Sequence, residues 1–117
     1  MEKSHAVAAL AALAQDNRLD VFRLLVRAGA AGMPAGAVAT ALKLAPNTLS
    51  FHFDRLRQAG LVSCTRDGRS LIYAARYQTM NDLLGYLTEN CCVGVAEACA
   101  PATCKPAPAK KKAKVSA

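Results

Sequence analysis

Apolar residues recur at helical spacing through the first part of this chain, and then the spacing changes. Residues 5–15 are rich in Ala and Leu, and Val7, Leu10, Ala11 and Ala14 fall on one face of a first helix. Asp16 or Asn17 offers a cap to a second helix, with Leu19, Phe22, Leu25 and Val26 as its apolar stripe and Gly29 and Gly32 at its end. A short third helix over residues 35–44 turns Val38, Ala41 and Leu42 inward. Residues 43–45 read as a turn, and Pro46 opens a fourth helix at its first position, where a missing N–H loses no partner.

The fourth helix, residues 46–60, places Leu49, Phe53 and Leu56 at i, i+4 and i+7, which directs them to the core. Asn47, Thr48, Ser50, Phe51, His52 and Arg55 are left to the outer face or its flanks. Beyond Gly60 the period drops to two: residues 61–66 and 70–74 read as strands about an Asp67-Gly68 turn. A last helix over residues 77–90 carries Met80, Leu83, Leu84 and Leu87 on its apolar face. The order predicts a mainly α fold with a small β-hairpin, the winged helix-turn-helix, in a chain small enough to favour a dimer.

Charge sharpens this picture. The formal net charge is +7, but Lys105, Lys110, Lys111, Lys112 and Lys114 supply five of those charges, so residues 1–104 carry only +2. Within them, residues 43–76 hold six basic residues against Asp54 and Asp67, whereas residues 77–104 hold Asp82, Glu89 and Glu97 unopposed. The basic excess thus coincides with the fourth helix and the hairpin, as a surface for DNA phosphates requires. No apolar run reaches the roughly 20 residues of a membrane span. A signal-peptide reading of residues 6–14 is disfavoured by Glu2, Ser4 and His5, which dilute its start. The expected location is cytoplasmic, where five cysteines serve metal or redox chemistry before they serve disulfides.

Two sets of residues carry candidate chemistry. Asn47, Thr48, Ser50 and Phe51 at the start of the fourth helix, with His52 and Arg55, suit base edges and phosphates. Phe51 fits either a thymine methyl or the hairpin. Arg66 and Arg69 straddle the hairpin turn as phosphate contacts. Second, Cys91 and Cys92 are followed by Cys99, three thiols within reach of one soft ion such as As(III) or Sb(III) if the intervening link folds back. Cys104 would extend the set to a four-thiolate Zn(II) site, although adjacent cysteines are poorly spaced for zinc. A thiol redox switch and spare tail thiols are the alternatives, and Cys64 reads as packing within the first strand. No constellation for catalysis appears and no permanent cofactor is expected, so an enzyme is not predicted. The organisation expected is a DNA-binding and dimerisation domain over residues 1–92, a cysteine-bearing sensor segment over 93–104, and a disordered basic tail over 105–117.

Over about residues 6–92 the chain resembles the ArsR/SmtB family of winged-helix metalloregulators. The strongest match is Ser50-Phe51-His52-Phe53-Asp54-Arg55-Leu56-Arg57-Gln58-Ala59-Gly60-Leu61-Val62, followed by Arg66-Asp67-Gly68-Arg69 and Tyr73. The resemblance implies a homodimeric repressor that reads an inverted-repeat operator and leaves it when an ion binds. It implies contact with DNA through Asn47, Thr48, Ser50, His52, Arg66 and Arg69. The family's cysteine motif on the helix before the recognition helix is missing here, as is histidine from residues 77–90. Asn90-Cys91-Cys92 instead resembles an arsenic-responsive subgroup, with Cys99 as the third ligand and Cys104 still in play.

Overall fold

In the computed structural model, which describes residues 1–90, the helices run α1 (Lys3–Leu13), α2 (Asp16–Ala28), α3 (Ala35–Leu42), α4 (Pro46–Gln58) and α5 (Tyr77–Leu87). The strands are β1 (Met33–Pro34), β2 (Val62–Asp67) and β3 (Ser70–Ala75). They form one antiparallel sheet in the order β1-β3-β2, with Val62 opposite Ala75 and Asp67 opposite Ser70. The core is built from Val21, Leu25, Val38, Leu49, Leu56, Leu61 and Val62, all essentially inaccessible to solvent.

Several local expectations shift by a few residues for identifiable reasons. The second helix is capped by Gln15, whose Oε1 accepts from the Arg18 N–H at 2.9 Å, rather than by Asp16 or Asn17. Its buried stripe is Val21, Phe22 and Leu25, and Leu19 is exposed. On α3 Val38 is buried with Ala39 beside it, while Ala41 faces out. Lys43 takes the left-handed conformation (φ 56°) and so ends the helix before residue 44. The fourth helix stops at Gln58: Gly60, at φ 79°, allows its N–H to reach the Arg57 carbonyl at 2.9 Å and the Leu61 N–H to reach Leu56 at 3.0 Å. That pair of bonds is the glycine-dependent Schellman stop.

The first helix departs most from expectation. Its inner face is Ala6, Ala9 and Ala12, and the predicted face of Val7, Leu10, Ala11 and Ala14 points away from the core of this protomer. Small methyls let α1 lie close to its neighbours, which leaves the larger side chains outside.

The third strand was not expected. Met33 and Pro34 pair with Tyr73 and Ile72 along the free edge of β3. The approach needs Gly32, at φ 75°, because a Cβ there would lie 2.3 Å from the Tyr73 carbonyl oxygen. The hairpin turn also moves by one position. Since Asp67 pairs with Ser70, its two loop residues are Gly68 and Arg69, with only Gly68 at positive φ (64°), the φ pattern of a II′ turn. The last helix begins at Tyr77, whose hydroxyl donates to the Val26 carbonyl at 2.8 Å, and it buries Leu83.

Among the described residues no helix is long and apolar enough to cross a membrane. Cys91, Cys92, Cys99 and Cys104, and with them the expected sensor segment and tail, lie outside the described residues.

Candidate nucleic-acid interface

Pro46 begins α4 directly after the turn that ends α3, so the two helices form the helix-turn-helix. Leu49, Phe53 and Leu56 anchor α4 from below, at 2 %, 2 % and 0 % exposure. Their burial turns Asn47, Thr48, Ser50, Phe51 and Arg55 to solvent. These are short polar groups around one aromatic ring, and Phe51 is half exposed. The Arg55 guanidinium lies over its ring, 5.0 Å from the centroid, a cation–π contact that restricts both side chains.

His52 is the exception within the predicted contact set. It is only 5 % exposed, so it cannot reach a base edge. The reason is helical arithmetic: His52 lies three residues after Leu49 and shares its inward flank. Neither ring nitrogen has a hydrogen-bond partner. Burial first, and then the nearby positive charge of Arg18, push its pKa below the ordinary histidine value. The ring therefore sits in the fold as a neutral imidazole, its edge 5.9 Å from Phe51 between centroids.

The wing is fixed to α4 through aromatic contact. Phe53 and Tyr73 stack with centroids 3.6 Å apart and planes within 3°. Cys64, opposite Tyr73 across the hairpin, is a half-buried free thiol in this packing, as the strand pattern suggested. Burial, and then its hydrogen bond with Cys64, raise the Tyr73 phenol above its usual pKa. At the far end, Arg66 and Arg69 are both exposed, with Arg69 in the turn itself. The structure thus gives the α4 set and the wing pair to solvent on elements that share one core, with the Phe53–Tyr73 stack between them.

One feature of this region carries no motif. Arg18, in the first turn of α2, donates from Nε to the Ala12 carbonyl at 2.7 Å. Its side chain lines a cleft of about 600 Å³ between α1, α2 and α4, shared with Phe51, Arg55 and Gln58. Among the described residues no three His, Cys, Asp or Glu side chains gather into a metal site.

A family profile described as a helix-turn-helix domain matches residues 13–65, which run from the end of α1 into β2. Among solved structures, the chain is similar to an ArsR-like transcriptional regulator from Rhodococcus sp. RHA1, with 23% identity over 85% of this chain and 90% of that one and a TM-score of 0.66. It is similar to NolR from Sinorhizobium fredii, with 32% identity over 74% and 83% of the two chains and a TM-score of 0.59. It also resembles a homodimeric winged helix-turn-helix DNA-binding domain from Mycobacterium bovis, at 22% identity over 74% and 81% and a TM-score of 0.61. No curated protein is similar enough to count as a match.

Proposed function

We infer that this chain, a helix-turn-helix protein whose winged fold is shared with ArsR-like regulators, is a homodimeric transcriptional repressor released from its operator by trivalent arsenic. The observation that carries the DNA half is the pairing of an exposed polar N-terminal face on α4 with exposed arginines at the tip of the wing. In that reading Asn47, Thr48, Ser50 and Phe51 meet base edges of an inverted repeat, and Arg55, Arg66 and Arg69 meet phosphates.

Dimerisation is supported by α1. Its inner face is apolar and buried, yet Val7 and Leu10 on the opposite face are 59 % and 42 % exposed. A helix apolar on both faces is suited to burial on both. A second copy laid against α1, with α5 taking part, would supply the cover; the similar domain from Mycobacterium bovis is homodimeric.

The inducer half rests on donor chemistry. Cys91, Cys92 and Cys99 supply three soft sulfurs, the number a pyramidal As(III) or Sb(III) ion takes, and Asn90-Cys91-Cys92 is the arrangement that resembles the arsenic-responsive subgroup. Ion binding would shift the spacing of the two recognition helices, with a coupling of about 1–3 kcal/mol.

The test uses operator DNA selected by the full-length protein from a random pool. Cys91→Ser, Cys92→Ser and Cys99→Ser are each expected to bind it and to stay bound in arsenite. Cys64→Ser and Cys104→Ser are expected to release it like the parent. X-ray absorption of the arsenic-loaded parent should count three sulfur neighbours. A response that survives Cys91→Ser, or that requires Cys104 and zinc while ignoring arsenite, would refute the arsenic assignment.

A further inference from the structure

The cleft between α1, α2 and α4 is chemically one-sided. Its apolar lining is the Phe51 ring and the methyls of Ala8, Ala11, Ala12 and Ala59. Its polar lining is Arg18, Arg55 and the Gln58 amide, and no carboxylate lines it. Both cations are held before anything enters. The Arg18 Nε is tied to the Ala12 carbonyl at 2.7 Å, which spends one of its five donors and leaves the terminal amino groups free to turn toward the cleft. Arg55 is steadied on the Phe51 ring. Below them His52 is buried and neutral, so it adds no third charge and offers no counter-charge. Two guanidiniums lining one opening present donors and positive charge that suit an anion.

The geometry points to a phosphate seat: we propose that Arg18 and Arg55 together grip one backbone phosphate of the bound duplex. The proposal rests on the DNA-binding reading above and adds to it a contact from outside the helix-turn-helix and the wing. A guanidinium fork matches phosphate oxygens in number and spacing. DNA is the favoured source of the phosphate because Phe51 and Arg55 belong both to the cleft and to the exposed face of α4, so the two open on one surface. A phosphate held there would fix how far α4 slides along the groove while reading no base.

Fluorescence anisotropy on a selected operator and on a random-sequence duplex, each across a salt series, tests this. Arg18→Ala is expected to weaken both duplexes by the same factor and to make the slope of log affinity against log salt shallower by about 0.9, one phosphate's worth. Arg55→Ala, which leaves the Arg18–Ala12 tie intact, should do the same. The double variant should lose little more than either single, because the two share one phosphate. An unchanged slope in Arg18→Ala, or a double variant that loses two phosphates' worth, would overturn the seat. Titrating inorganic phosphate into the DNA-free protein, read at the His52 ring resonances, separates the sources. If free phosphate saturates the site while Arg18→Ala leaves both duplex affinities unchanged, the cleft serves a soluble anion and the proposal fails. A parent that binds no duplex would sink the repressor reading itself and the seat with it.

Discussion

Two helices of this domain pack on one core and use their residues in opposite ways. The fourth helix, α4, sinks its large side chains and shows short polar ones. The first, α1, sinks alanines and shows Val7 and Leu10. The contrast bears on the role proposed for each outer face. A polar face beside arginines is stable in water and gains by meeting an anionic, hydrogen-bonding surface such as a DNA groove. A face bearing exposed valine and leucine gains by leaving water, as it would against a second protein surface.

Substitutions can separate the two. The largest effect is expected inside α4. Phe53→Ala removes a buried ring and its stack on Tyr73, which should cost about 3–5 kcal/mol in urea unfolding. A loss under ~1 kcal/mol would mean the ring stack does not hold the wing. Next comes the outside of α1. Leu10→Glu should weaken the dimer by about 2–4 kcal/mol in sedimentation experiments while each protomer keeps its helical signal. If this variant unfolds, Leu10 belongs to the protomer core and the contrast collapses; if it stays dimeric, the interface lies elsewhere.

A smaller effect is expected on the outside of α4. Ser50→Ala should leave folding intact and reduce the preference for operator over random DNA by about 1–3 kcal/mol. Equal loss on both duplexes would make Ser50 a phosphate contact. The smallest effect concerns pH. Because burial and Arg18 lower the His52 pKa in the fold, the unfolded chain binds the proton more readily. The His52 contribution to stability is complete above the ordinary histidine value of about 6.5 and declines as pH falls below it toward the lowered one. His52→Leu should flatten that part of the stability–pH curve, and an unaltered curve would show that the imidazole is solvated.

The same contrast explains what the sequence disclosed. α4 was legible because Pro46, the Leu49/Phe53/Leu56 spacing and Gly60 agree with one another. The hairpin was legible from its period and from Gly68, although the register put the turn one residue later. α1 was legible as a helix but not as a surface: with Ala and Leu on every side, the pattern does not distinguish inside from outside. Leu19 misled for a related reason, since Val21 packs in its place. The strand at Met33–Pro34 has too few residues for any periodicity and exists only because β3 offers it an edge. His52 was placed outside by counting i+4 and i+7 from Leu49 and omitting i+3. Arg18 stands in no motif, and only the bend between α1 and α2 brings it to the cleft that Arg55 also lines.

The Phe53–Tyr73 stack has a mechanical consequence. Rings stacked 3.6 Å apart and parallel within 3° brace α4 against the wing, which favours their turning together as one lever. The soft coordinate that remains is the angle between two such levers in a dimer. Recognition helices in a dimer stand one turn of DNA apart, roughly 34 Å, so each lies about 17 Å from the axis between them, and at that arm a tilt of about 10° carries one of them about 3 Å. That is close to the rise of a single base pair. Stiffness within each protomer would therefore convert a modest tilt between protomers into a slip of one whole step along the groove.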